Sequence, residues 1–298
     1  MNPHYSISHS DIIITVASWE ERFLLGLEKL KKDVRPVRVI MFHYDEYADW
    51  SKENRETAQR FFSPGVPVVE RKLFSRAPLE TWKHIADTVF EHVQAHQSVT
   101  LHISTMPREA IWIICACVRA KGCEIQYVYN KPIAYAEDWL SRDPGRPRIV
   151  YKLAGIFGLN LPTTLLVITG FDSERTKQLV RFYEPRNVVI GLQQGDQYEN
   201  IIKNRKEHQK AFDRNKGIRW FDVDGYDIES TLASVESNLK EFIEDTNVIL
   251  TSLGPKISAL ALYKYHLNHE KAALVYAPAN EVNRDYSNGL KETLSGRL

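Results

Sequence analysis

Two short stretches of the chain place hydroxyls, a proline and a cation in one order. Residues 99–111 read VTLHISTMPREAI and residues 248–260 read VILTSLGPKISAL, so Ser252, Pro255 and Lys256 repeat the places of Ser104, Pro107 and Arg108. Each stretch reads as an apolar strand, a tight turn and a helix start, with proline where a missing N–H costs nothing. A helix N-terminus offers free backbone N–H groups and the positive end of a dipole. Ser104 and Thr105, or Ser252 beside Gly254, supply the turn, and Arg108 or Lys256 adds a cation. Such a set suits a phosphate or another small anion. The same residues have an ordinary structural use, the serine as an N-cap and the cation solvated.

A second pair of motifs flanks the first. Residues 18–22 read SWEER and residues 170–175 read GFDSER, so Glu21-Arg22 matches Glu174-Arg175. In a binding role Ser18, Arg22, Asp172 and Arg175 would line a crevice, the arginines on an anion and acids such as Glu21 on ribose or base groups. In a structural role Glu and Arg form an ion pair between the copies that orients the helix. Asp45 and Asp196 end the second strands, where dinucleotide folds hold ribose hydroxyls. Asn54-Arg55 with Gln59 answers Asn204-Arg205 with Gln209 at a common offset of 150, either as ligand contacts or as pins between a polar helix and its own sheet. Trp19, in a crevice loop, either stacks on a base or packs; Trp82, Trp112 and Tyr129 read as core by spacing.

Other chemistry is not supported. No G-x-G-x-x-G follows either first strand and no Walker lysine motif occurs, which disfavours a dinucleotide cofactor. No H-E-x-x-H or paired metal-binding set appears among the ten histidines, and no G-x-S-x-G elbow, so neither a cofactor nor a metal is expected. His102, inside a strand, reads as a satisfied interior histidine. Cys115, Cys117 and Cys123 fall within nine residues, lack zinc-ligand spacing and read as reduced core thiols. A net charge of +1 gives no global field for nucleic acid, and 43% apolar residues is ordinary for a globular protein. No apolar run reaches the roughly 18 residues of a membrane span. The start, MNPHYSISHS, has no basic-then-apolar signal. A cytoplasmic protein without membrane contact is the expectation.

The elements that must position these motifs occur twice. The first copy alternates strands at DIIITVA, VRVIMFHY, VVERKLF, residues 99–103 and EIQYVYNKP with helical stretches; the second does so at TLLVIT, NVVIGLQQ, IRWFDV, residues 248–252 and AALVYAP. Amphipathic helices are predicted over LETWKHIADTVFEHV and IESTLASVESNLKEFI. Six landmarks match at offsets of 147 to 153. The fold class is therefore α/β, an internal duplication of two Rossmann-like units, each a mostly parallel sheet flanked by helices. The predicted division is 11–135 for the first unit, 136–163 as linker with a DPGRPR turn, and 164–298 for the second. If each copy is wound 3-2-1-4-5, the crevice at the carboxyl ends of strands one and four is the usual ligand site.

A strand leading into a Ser/Thr/Gly turn, then Lys or Arg at a helix start, then a strand ending in Tyr (Tyr129 and Tyr276) resembles the CRISPR-associated Rossmann fold, CARF. Two such units in one chain resemble SAVED, a fused CARF pair. The likeness covers roughly 11–135 and 164–290. It implies a nucleotide second messenger, often a cyclic oligonucleotide, bound across the pseudo-twofold face. Residue by residue it carries over Ser104, Thr105 and Arg108, with Ser252, Gly254 and Lys256. The turns depart from the family's Gly-Gly-Thr-Lys-like pattern, reading Thr-Met-Pro-Arg and Leu-Gly-Pro-Lys here. The two units take up the chain, without a fused nuclease or winged helix. The resemblance thus implies a nucleotide-binding, CARF-like sensor of prokaryotic antiviral defence, taking a small anionic or nucleotide ligand. It would stand alone or act with an effector protein, with homo-oligomers left open. Two other readings stay open: a metal-independent, ring-nuclease-like enzyme that cleaves a bound nucleotide, and a scaffold subunit for an effector.

Overall fold

The computed structural model describes residues 7, 9–62, 64–136, 138–194, 201–212 and 217–298, with backbone alone at 201–204. The chain forms two units, Met1–Leu140 with Asn283–Leu298, and Ser141–Val282. In chain order the first unit supplies β1 (Ile12–Val16), α1 (Glu21–Asp33), β2 (Arg38–Tyr44), α2 (Ala48–Phe62), β3 (Val68–Leu73), α3 (Pro78–His92), β4 (Ser98–His102), α4 (Arg108–Ala120), β5 (Glu124–Lys131) and β6 (Ala134–Tyr135). The second supplies β7 (Ser141–Pro144), β8 (Arg148–Ile149), β9 (Thr163–Ile168), α5 (Ser173–Tyr183), β10 (Asn187–Gln193), α6 (Ile201–Ala211), β11 (Ile218–Val223), α7 (Ile228–Leu239), β12 (Asn247–Ser252), α8 (Lys256–Asn268), β13 (Ala272–Tyr276) and β14 (Ala279–Val282). The chain then returns to the first unit as β15 (Ser287–Asn288) and β16 (Glu292–Arg297).

The duplication is present. One sheet runs β16-β5-β4-β1-β2-β3 and the other β11-β10-β9-β12-β13-β8. Each contains the order 3-2-1-4-5, parallel throughout, with a sixth strand antiparallel on the outer edge of the fifth. The central strands are buried on both faces, which explains why IIITV carries no polar alternation. Helix α1 buries Phe23, Leu27 and Leu30 along one stripe. Helix α8 is buried almost all round from Ile257 to Tyr265, and so lacks an amphipathic signature.

Two details differ from the sequence reading. Helix α7 ends at Leu239, short of the predicted end at Ile243, and the Phe242 and Ile243 amides donate to the Leu239 carbonyl in the turns that follow. The boundaries at 135, 163 and 298 also shift. Within 136–163, β7 pairs with β14 and β8 pairs with β13, so most of the expected linker is part of the second unit. Residues 283–298 belong to the first unit instead, where β15 pairs with β6 and β16 lies along β5 from Lys131 to Gln126. An edge strand needs a partner for its open ladder, and here the partner is remote in sequence. No described helix is long and apolar enough to cross a membrane.

Candidate functional site

In the first unit the turn after β4 sits against the end of β1. The Thr105 hydroxyl donates to the Val16 carbonyl at 2.9 Å. Ser104 and His102 are fully buried, with Ser104 Oγ 2.9 Å from His102 Nε2. Asn130, at the end of β5, donates its backbone N–H and its side-chain amide to Ser104 Oγ at 2.9 and 3.0 Å. The same amide lies 2.9 Å from His102 Nε2, while His102 Nδ1 meets the Thr15 hydroxyl at 3.2 Å. Thr293 on β16 closes the network, donating to Asn130 Oδ1 at 2.8 Å. Helix α1 passes over it at Gly26, where a Cβ would overlap the Asn130 amide and the His102 ring. Ser104 and His102 have the composition of a nucleophile–base pair. Their burial and their bonds make them instead a polar pin between strands, as expected for His102.

The loop after β1 is equally committed. Ser18 Oγ accepts from the Glu20 amide at 3.2 Å, and its carbonyl accepts from Asn54 Nδ2 at 2.8 Å. Arg22 is 1% exposed; its Nε donates to Glu20 Oε2 at 2.8 Å and its Nη1 reaches the Asn130 carbonyl at 3.4 Å. Burial opposes the charge on Arg22, but Glu20 and the phenols of Tyr129 and Tyr135 outweigh it and hold the guanidinium above its ordinary value. Glu21 stays at the surface and accepts from the Gly289 amide at 3.1 Å. Arg22 therefore forms an ion pair within its own unit instead of one between the copies, with Glu20 rather than Glu21 as its partner.

Arg108 is the first residue of α4, half-buried, with Pro107 in the N-cap position. The arm from 283 onward comes up beside it. Burial pushes the Tyr286 hydroxyl up, and the positive field of Arg108 opposes that shift. The Tyr286 and Tyr135 rings meet edge-on at 5.9 Å, and the Tyr135 and Tyr129 hydroxyls are 3.3 Å apart. Ser287 donates to Glu20.

The second unit repeats the plan. Arg175 donates to the Ala277 carbonyl just past β13, the counterpart of Arg22 on Asn130, and its Nη1 reaches Ser141 Oγ at 3.2 Å. Asp172 caps α5, accepting from the Arg175 amide at 3.1 Å. Ser252 Oγ lies 2.6 Å from Ser258 Oγ, and both serines are buried. The two crevice loops touch through glycines. A Cβ on Gly170 would overlap the Leu253 carbonyl, and one on Gly254 would stand 2.8 Å from the Thr169 carbonyl. Lys256 opens α8, half-buried behind Pro255.

The Asn-Arg-Gln helices are pins. Arg55 pairs with Glu70 on β3, and Gln59 donates to the other oxygen of that carboxylate at 2.6 Å. His43 stands 3.0 Å from it. Hydrogen bonding from His43, and then Arg55, outweighs burial and holds the Glu70 carboxyl at about 2. Arg205 pairs with Asp222 on β11 in the same way. Asp45 is exposed and pairs with Lys72 at 2.9 Å. Asp196 and the Asn204 side chain lie outside the described residues.

Trp19 is half-buried in a ring cluster with Tyr47 and Trp50. Trp112 and Tyr129 are core as expected, Cys115 and Cys117 are buried, and none of the three cysteines is in a disulfide. Among the described residues no group of three His, Cys, Asp or Glu side chains could hold a metal ion. The motif pattern missed Glu20, Tyr135, Tyr286 and Ser287. Glu20 was visible beside Glu21; the arm residues had no local signal, since their partners lie up to 267 positions away.

At the carboxyl ends of strands one and four, each unit thus presents a cation at a helix start above loops fastened by internal hydrogen bonds. That arrangement can attract an anion at Arg108 and Lys256. Most of the hydroxyls and both arginines of the flanking motifs hold the loops in shape. No family model and no curated protein matches the sequence. Among solved structures, a Type III CRISPR defence DNA nuclease activated by cyclic oligoadenylate is similar over 85% of this chain and 63% of its own, at 10% identity and a TM-score of 0.57. Can2 from Sulfobacillus thermosulfidooxidans, in complex with cyclic tetra-adenylate, overlaps only 39% of this chain and 31% of its own, at 14% identity and a TM-score of 0.29, too weak a likeness to carry weight. The chain spans less than two thirds of the nuclease, and what they share is fold: this chain is built of two Rossmann-like units in tandem.

Proposed function

We propose that the chain is the nucleotide-sensing module of a prokaryotic antiviral defence system, binding an anionic nucleotide at the crevices between the first and fourth strands of its units. The observation that carries this reading is the duplicated placement of Arg108 and Lys256 as the first residues of α4 and α8, each behind a proline at the topological switch point. A cation there is mildly unfavourable to the helix dipole, by roughly 0.3–1 kcal/mol, so its occurrence in both copies calls for a reason outside the helix. Phosphate oxygens would bridge the cation and the free backbone N–H groups of the first turn. Gly254 would serve by letting the turn pack against the Thr169 carbonyl. Ser18, Ser104, Thr105, Asp172, Arg22, Arg175 and Ser252 would serve by holding the loops, and Glu21 by lining the rim. The similar nuclease is activated by cyclic oligoadenylate, and this chain spans 63% of its length.

The test is calorimetric titration of the full chain and its Arg108→Gln/Lys256→Gln variant with cyclic oligoadenylates, with unfolding curves alongside. Hydrogen bonds to charged groups contribute about 1.5–3 kcal/mol, so the double variant is expected to bind at least about tenfold more weakly. Equal affinity in both proteins would show that the cations do not touch the ligand. Chromatography of the ligand after incubation separates sensing, where it is recovered intact, from cleavage.

A further inference from the structure

We infer that the first unit carries a nucleobase-stacking platform beside its crevice, built from Trp19, Tyr47 and Trp50 and closed by Arg284. The proposal rests on the nucleotide reading above and adds a site for the base, apart from the cations proposed for the phosphates.

Four side chains from separate segments converge there. Trp19 lies in the loop between β1 and α1, Tyr47 in the single turn after β2, Trp50 in the first turn of α2 and Arg284 in the C-terminal arm. The Trp19 and Trp50 rings stand perpendicular, 4.9 Å apart. Tyr47 inclines to both, at 5.2 Å from Trp19 and 5.5 Å from Trp50. Trp19 Nε1 donates to the Arg284 carbonyl at 2.7 Å, which fixes its ring, and Asn54 fastens the loop to α2 through the Ser18 carbonyl. The Arg284 guanidinium lies 5.7 Å from the centre of the Trp50 ring.

Trp50 is 39% exposed. Trp50 thus keeps ring surface that a ligand can reach. An indole with an exposed face and a guanidinium stacked beside it is the set that holds an unpaired base: the ring takes the π-face, and the guanidinium edge donates to base or phosphate. Among the described residues the platform is found in the first unit. At the offset of Arg22 and Arg175, Asp172 stands in the place of Trp19; at the common offset of 150, Gln197 and Asn200 stand in the places of Tyr47 and Trp50.

The experiment titrates the full chain with a cyclic oligoadenylate, with AMP and with ribose 5-phosphate, which keeps the sugar and phosphate but has no base. It reads affinity by calorimetry and stability by thermal unfolding. Trp50→Ala is expected to weaken oligoadenylate and AMP at least about fivefold, and Arg284→Gln by less, with ribose 5-phosphate unchanged. Trp50→Phe, which keeps a π-face, should retain most of the affinity; Trp50→Leu, which keeps apolar bulk alone, should not. If Trp50→Leu binds adenylate as well as Trp50→Phe does, the rings only fasten the arm and the platform is overturned. Adenylate affinity unchanged in Trp50→Ala but lost in Arg108→Gln/Lys256→Gln overturns the platform and leaves the nucleotide reading standing. A wild-type chain that binds neither adenylate overturns both.

Discussion

Replacing Arg22 tests most directly whether the Glu-Arg motif after the first strand serves the fold or the ligand. The guanidinium is 1% exposed, pairs with Glu20 at 2.8 Å and reaches the carbonyl of Asn130, which itself holds Ser104 and His102. Arg22→Met keeps much of the length and removes the charge, leaving the buried Glu20 carboxylate without its guanidinium while Ser287 still donates to it. Breaking a buried pair from one side costs about 3–5 kcal/mol. Because a change of 1 kcal/mol moves the melting temperature by about 2–4 °C in a unit of this size, even the low end lowers it by roughly 6–12 °C. Removing both charges, in Glu20→Gln/Arg22→Met, relieves the stranded carboxylate and should recover a substantial part of the loss. The assay is urea and thermal unfolding of the four proteins of the cycle, with ligand affinity in parallel. An Arg22→Met variant that melts with the wild type yet binds the ligand weakly would refute the structural role and make Arg22 a ligand residue.

The same packing sets other outcomes. Gly26→Ala in α1 ought to gain about 1 kcal/mol from helix propensity alone, yet the added methyl overlaps the Asn130 amide and the His102 ring at a cost of about 1–3 kcal/mol, so thermal unfolding should show no gain and a net loss of up to about 2 kcal/mol. Gly170→Ala forces apart the two crevice loops of the second unit at a backbone carbonyl, and should lower stability by at least a similar amount. Glu70, held at about 2 against an ordinary 4.5 and 22% exposed, contributes stability that is fully present above pH 4.5 and is lost as pH falls toward 2. With allowance for screening this is roughly 2–3 kcal/mol, and an acid titration of unfolding should show it in the wild type and not in Glu70→Gln. Truncation after Val282 removes the β16 ladder and the Thr293 bond to Asn130, and hydrogen exchange should then show β5 deprotected.

How much of this was legible depended on the reach of each interaction. The strands and their order could be read because buried parallel strands are continuous apolar runs such as IIITV, and because two copies gave the same reading twice. The placement of Arg108 and Lys256 could be read because a strand end, a proline and a helix start are adjacent in sequence. The role of the serines could not. Whether Ser104 faces a ligand or His102 is decided by Asn130, which arrives from a strand 26 residues later, and by Gly26, which makes room from a helix on the other side. Likewise, Glu21 and Glu20 are equivalent as letters. Only the burial of Arg22 selects Glu20, while Glu21 faces the arm.

The expected linker conceals a third part of the repeat. After β5 the first copy continues into β6, β7 and β8; after β13 the second continues into β14, β15 and β16, at offsets of 144 to 146 between corresponding strand starts. In each copy the first of these strands stays with its own unit, and the last becomes the antiparallel edge of the sheet in the other: β8 on β13, and β16 on β5. The repeated segment is therefore five parallel strands plus a trailing three-strand arm, and the ends of the arms are exchanged. Alternation of strand and helix predicts pairing between neighbours in sequence and has no means of registering an exchange. The same exchange explains where the candidate site gained its unforeseen residues. Arg284, Tyr286 and Ser287 reach the β1 loop because the arm that caps β5 must first pass the ends of β1 and α1. The site of the first unit is thus completed by residues that follow the second, and a change in the arm is a change in that site.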